Sequence, residues 1–257
     1  MCFTSTSHPP IAPIAGGALD GQAIELVASD GTRLRAYRAR AADPTGAGIA
    51  ILPDVRGLYH FYEELALRFA EEGIDAVAID YFGRTAGVGP RDEGFEYMPH
   101  VARTTWAGLS ADIAAAVDHL RSAEGGAVRS VFTVGFCFGG RVAFDSATLG
   151  LGLAGVTGFY GIPAGPGRND APAPIEVVDR MASPVLGLFG GADGAIPHTA
   201  VADFESALGR ARVEHRIVEY PGAPHSFFDR SYEDHAAASA DAWQQVLAFV
   251  RTNVAAG

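Results

Sequence analysis

Cysteine is scarce in this chain. Cys2 and Cys137 stand far apart among 257 residues, which excludes a disulfide framework and leaves a reducing, cytoplasmic setting as the expectation. Positive charge is also short: 19 Lys and Arg face 30 Asp and Glu, for a net charge of −11. Nucleic acid and anionic membrane surfaces are therefore poor partners, and an anionic small substrate would need a local arginine. No apolar run approaches membrane-spanning length. The stretch from Met1 to Pro10 has neither the basic start nor the apolar segment of a secretory signal. No Cys or His pair has zinc-finger spacing and there is no H-E-x-x-H, so no metal is expected. A phosphate-binding G-x-x-x-x-G-K-[ST] and a post-strand G-x-G-x-x-G are missing too, so the expectation is a chain that works without a cofactor.

What is present is alternation. After a Ser, Thr, Pro and Gly-rich arm over residues 1–20, the runs Ala23–Ala28 and Thr32–Arg40 flank Ser29-Asp30-Gly31, a hairpin signal. Strand-like runs follow at 49–52, 74–79, 130–134, 153–160, 185–189 and 213–220. Helical periodicity covers 61–72, 109–122, 141–149, 199–208 and 236–250. Residues 80–94 and the proline-rich 161–174 read as long loops, the second as a flap. With no repeat and no linker, residues 21–257 are expected to form one α/β domain. Its sheet should be mostly parallel and doubly wound, with an N-terminal hairpin. Ligands bind such sheets at the carboxyl ends of the strands.

One stretch organises the chemistry. Gly135-Phe136-Cys137-Phe138-Gly139-Gly140 sits between the strand 130–134 and a helix. Glycines two residues either side of a nucleophile mark a nucleophile elbow, here with Cys in place of Ser. A side chain at 135 or 139 would crowd the turn, and a helix N-terminus favours a thiolate. The alternative is a buried structural cysteine, the commonest state of a free thiol. A thiol nucleophile needs a base and an orienting carboxylate. Of eight histidines, His225 alone follows the elbow in a post-strand loop with turn residues before it. His215 lies within a strand pattern, His119 is mid-helix, and His198 and His235 are near helix starts. Asp193 precedes His225 just past a strand, whereas its rival Asp203 falls inside a helix pattern.

These motifs, with Gly190-Gly-Ala-Asp193, Gly222-Ala-Pro-His225-Ser-Phe and Asp80-Tyr-Phe-Gly-Arg84, resemble the dienelactone hydrolase family of α/β-hydrolases over about residues 22–250. The resemblance implies a Cys137–His225–Asp193 triad and an oxyanion hole from the backbone N–H groups of Val55 and Phe138. It implies a small-molecule ester or lactone as substrate, often carrying a carboxylate held by arginines, with Arg84 as one. A carboxylate after the first parallel strand, here Asp54 where the family usually has Glu, would control the thiol. The family's arginine four residues past the histidine is replaced by Asp229, with Arg230 one further on, and Arg56 either substitutes for it or pairs with Asp54. The expected activity is hydrolysis through an acyl-enzyme. The other readings are a thioesterase or acyltransferase with the same triad, and a non-catalytic ligand-binding or thiol redox-sensing fold.

Overall fold

The computed structural model describes residues 7–92 and 94–255; Cys2 and the first six residues of the arm lie outside them. In chain order the strands are β1 (Ala18–Val27), β2 (Arg33–Ala41), β3 (Ala47–Leu52), β4 (Ile74–Ile79), β5 (Ser130–Phe136), β6 (Gly155–Phe159), β7 (Val185–Gly190) and β8 (His215–Tyr220). The helices are α1 (His60–Glu71), α2 (Gly83–Ala86), α3 (Tyr97–Val101), α4 (Trp106–Arg121), α5 (Phe138–Ser146), α6 (His198–Ala211) and α7 (Ala236–Asn253).

The eight strands form one sheet in the order β1-β2-β4-β3-β5-β6-β7-β8. The β1–β2 and β2–β4 pairings are antiparallel and all others parallel. This is the expected single α/β domain. Strands β3, β4, β5, β6 and β7 are buried along their whole length, which is why they read as largely apolar runs rather than alternating ones. In α1 the buried residues are Phe61, Tyr62, Leu65, Ala66, Phe69 and Ala70, the same positions whose spacing signals a helix.

Most boundaries differ from the sequence reading by a few residues, and the expected loop 80–94 contains the short α2; three differences have a physical reason. Strand β1 starts at Ala18 because its pairing with β2 continues past a register shift between Ala18 and Asp20. Helix α6 runs through Gly209 and ends where Arg212 takes a left-handed conformation (φ 57°). Helix α5 begins at Phe138, not Arg141, so Gly139 and Gly140 lie in its first turn. That turn is pressed between neighbouring strands. A Cβ at Gly139 would overlap the carbonyl oxygens of Leu52 and Pro53 at the end of β3, and one at Gly140 would press on the Phe159 carbonyl at the end of β6. A Cβ at Gly135 would overlap the carbonyl of Gly139.

Backbone cannot yield as a flexible side-chain tip can. Gly135→Ala is therefore expected to lower the unfolding free energy by about 3 kcal/mol or more. A urea midpoint within error of the wild type would show that the elbow is not so tightly built.

Candidate active site

The turn between β5 and α5 holds Cys137 at φ 56°, a conformation that L residues other than glycine seldom adopt. It is held from both sides: Cys137 N–H donates to the Phe159 carbonyl (3.0 Å), and its own carbonyl accepts from Arg141 N–H (3.1 Å). The thiol is half-buried.

The base and the acid come from adjacent loops. Asp193 follows β7 and His225 follows β8, and the two loops are stitched together by Gly191 N–H to the Tyr220 carbonyl (2.8 Å) and Ala192 N–H to the Ala223 carbonyl (2.9 Å). His225 Nδ1 lies 2.7 Å from Asp193 Oδ2, while Asp193 Oδ1 accepts from Ala195 N–H (2.8 Å). The Asp193 side chain is 1% exposed, so its orientation is fixed by these bonds. His225 also hydrogen-bonds Cys137. Burial opposes charge on the imidazole, yet the bonds to Asp193 and Cys137 and the negative charges of both push His225 up to about 10. The cluster is thus suited to an imidazolium beside a thiolate.

The loop after β3 approaches the same place. Tyr81 Oη donates to the Pro53 carbonyl (3.0 Å), and the Tyr81 ring stacks edge-on against Phe138 at 5.5 Å. Asp80, fully buried, accepts from Leu58 N–H (3.1 Å) and Phe82 N–H (3.1 Å) and is ion-paired with Arg91 (2.7 Å). That carboxylate therefore fixes the 54–58 turn. Val55 and Phe138 both line a cavity of about 480 Å³ that also exposes Cys137 and His225. Tyr97, Met98 and Ile162 make its apolar wall, and Arg141, Arg168 and Arg230 its basic one.

Asp54 is fully buried; its Oδ1 accepts from Arg56 N–H (2.8 Å) and its N–H donates to Tyr62 Oη (3.0 Å). The Arg56 guanidinium lies 4.5 Å over the Tyr59 ring. Asp229 turns inward: it is 1% exposed and accepts from Tyr160 Oη (2.6 Å) and from Arg230 N–H. Burial pushes it up to about 8 despite those bonds, with the negative charges of Asp54 and Cys137 adding to the effect. Tyr160, itself at φ 36°, packs its ring 5.0 Å from that of His225.

Arg84 is not brought to this cavity. Its Nη1 donates to both oxygens of Asp112 (2.6 and 2.7 Å), and its Nε and Nη2 donate to Asp30 (3.0 and 2.8 Å). It thus joins the β1–β2 turn to α4. Sequence reasoning missed Arg141 and Arg168. Arg141 carried a signal, since a cation in the first turn of a helix opposes the helix dipole and needs another reason to be there. Among the described residues, His8, His60 and Glu64 bring three ligand atoms within 4.8 Å of one another. They are apart from the cavity and mostly exposed, and Glu64 already bridges both rings (2.6 and 2.9 Å). No helix among the described residues is long and apolar enough to cross a membrane.

Comparisons with known proteins agree with the fold. A family model described as "Dienelactone hydrolase family" matches residues 34–254. A protein of Escherichia coli O157:H7 named "Putative carboxymethylenebutenolidase" is 31% identical over 235 residues, covering 86% of this chain and 83% of its own. One of the same name from Salmonella typhimurium is 30% identical over 267 residues, covering 95% and 96%. A crystal structure titled "Putative Dienelactone Hydrolase" from Klebsiella pneumoniae superposes with a TM-score of 0.78 at 28% identity, covering 90% of this chain and 99% of that one.

The pH dependence of the thiol has a definite sign. With His225 holding its proton up to about 10, alkylation of Cys137 by iodoacetamide should be level across neutral pH. His225→Asn removes that partner, so the rate should instead climb with pH through the ordinary thiol range near ~8.5. A wild-type rate that climbs in the same way would mean that no such pair forms.

Proposed function

The chain belongs to the dienelactone hydrolase family, and from that premise we propose that it cleaves a carboxylic ester or lactone with Cys137 as nucleophile, His225 as base and Asp193 as the orienting acid. The family supports an ester or lactone hydrolase acting on a small molecule. The observation that carries the finer reading is the 2.7 Å contact of His225 with Asp193, with His225 also bonded to Cys137 across the mouth of one cavity.

In this mechanism the Cys137 thiolate adds to the substrate carbonyl carbon. The developing oxyanion is received by the backbone N–H groups of Val55 and Phe138, which are fixed before substrate arrives. The C–O bond to the leaving group breaks as His225 delivers its proton to the departing oxygen, leaving a thioester on Cys137. Neutral His225 then takes a proton from water, the hydroxide adds to the thioester carbonyl, and the thiolate leaves as the acid product forms. Asp193 stays ionised throughout and holds the ring's orientation.

Asp54 is assigned to thiol control. Its carboxylate opposes thiolate formation while His225 favours it, so the reactive form depends on their balance. In the alkylation profile Asp54→Asn should shift the acid limb to lower pH; a superimposable profile would make Asp54 a structural partner of the Arg56 turn.

Activity should fall at least ~1,000-fold in Cys137→Ala, and a burst of product from an activated aryl ester should disappear with it. Asp193→Asn added to His225→Ala should cost little beyond His225→Ala alone, because groups that act as one unit are not additive. Ester turnover surviving in Cys137→Ala would end the proposal, and peroxide-dependent modification without turnover would favour a sensor.

The substrate's anionic group, where it has one, is proposed to lie against Arg168 and Arg230, the exposed arginines of the cavity. Arg168→Ala with Arg230→Ala should reduce kcat/KM for carboxylated esters about 5-fold or more relative to neutral ones, less at high salt. Arg84→Ala should leave that ratio unchanged and lower stability, because buried Asp112 loses its partner. A ratio that falls only in Arg84→Ala would restore Arg84 as the substrate contact.

A further inference from the structure

Arg141 has a role that the triad leaves unexplained. It lies one turn beyond Cys137 in α5, is 6% exposed, and lines the cavity. Its guanidinium does not point at a carboxylate. Nη1 donates to the Ile162 carbonyl (3.3 Å), and Nη2 to the carbonyls of Gly165 (2.9 Å) and Pro172 (3.1 Å). These three belong to the proline-rich segment that follows β6 and forms no helix or strand until Pro174.

The same segment supplies Ile162, Pro166, Gly167 and Arg168 to the cavity wall. Elsewhere it is tied by Asn169 Nδ2 to Thr104 Oγ1 (3.1 Å), by Trp106 N–H to Asp170 (2.6 Å) and by Ile175 N–H to the Pro163 carbonyl (3.0 Å). Gly167 sits close over the guanidinium, where a Cβ would lie 3.3 Å from Arg141 Nε. Four residues along α5, Asp145 is fully buried, and neither of its oxygens has a hydrogen-bond partner among the described residues. Burial pushes Asp145 up to about 8, and it makes no ion pair with Arg141. A cation kept this deep, with its donors given to three carbonyls of one irregular segment, has the chemistry of a strut.

We propose that Arg141 is a positioning residue that holds residues 162–172 as a fixed wall of the Cys137 cavity, so that it sets how well substrate is bound and not how fast the thiol reacts. Resting on the hydrolase reading above, this makes the 162–172 wall the determinant of which ester acyl and alcohol groups fit. Only a planar, multi-donor cation reaches three carbonyls set in different directions; lysine offers a point charge on a flexible stem.

The test compares wild type, Arg141→Lys and Arg141→Met on a homologous set of aryl esters of increasing size. Iodoacetamide labelling of Cys137 serves as a probe too small to need the wall. In both variants KM for the largest ester should rise about 10-fold or more. The value of kcat and the labelling rate should stay within about 2-fold, with Arg141→Lys intermediate between wild type and Arg141→Met. Size discrimination should flatten accordingly. Two results would overturn the proposal: unchanged KM across the series, or kcat and labelling falling together while KM holds. Should Arg141→Met fail to fold, Arg141→Lys alone reads the same split. Failure of the reading on which this rests would look different: wild type would turn over none of the esters, or they would turn over equally in Cys137→Ala, whatever Arg141 does to KM.

Discussion

The structure turns on one close approach: the first turn of α5 pressed against the ends of β3 and β6. It is possible only because Gly139 and Gly140 put no Cβ between their backbone and the carbonyls of Leu52, Pro53 and Phe159. The consequence for Cys137 is a positive φ that costs on the order of 1–3 kcal/mol and is held by the surrounding bonds. The same approach brings the loop after β3, which carries Val55, to the N-terminus of α5, so that Val55 and Phe138 line one cavity. A looser turn would separate the proposed oxyanion donors from the thiol, so packing and chemistry share a cause.

Around that turn the electrostatics are unusual for a thiol. Two buried carboxylates, Asp54 and Asp229, lie close enough to repel one another. Burial, with the negative charges of Asp54 and Cys137 adding to it, raises Asp229 to about 8 despite its bonds to Tyr160 and the Arg230 backbone. In the proposed mechanism Asp54 opposes the thiolate that His225 and the helix N-terminus favour. Asp193, by contrast, is buried against donors that match its charge.

Much of this was legible in the sequence because it depends on local pattern. The buried strands show as apolar runs, α1 shows its stripe, and the elbow glycines mark the turn. The order of Asp193 and His225 then follows from where strands end. What was illegible depends on which side chain meets which across long sequence separations. Arg84 stands at a strand end as the family pattern suggests, but Asp30 and Asp112, 54 and 28 residues away, engage all three of its nitrogens. Nothing local announces those partners. The start of α5 was misplaced because Gly139 and Gly140 read as loop residues; tertiary contact requires glycine there more strongly than helix propensity forbids it.

The exchange of arginine for Asp229 in this chain has a structural consequence beyond lost charge. A carboxylate at that position is drawn inward, where Tyr160 donates to it at 2.6 Å and the backbone of Arg230 adds a second bond. Tyr160 is thereby pinned with its ring against His225. Asp229 thus braces the ring beside His225 instead of lining the cavity. Any anion recognition must then move to side chains that still reach the cavity. Arg230 is the next residue along, and Arg168 is carried on the segment that Arg141 supports. Because Arg168 and Arg230 are exposed, their attraction for an anion is screened by solvent and salt. In the proposed function, charge therefore adjusts a selectivity set mainly by the shape of the 162–172 wall that Arg141 holds.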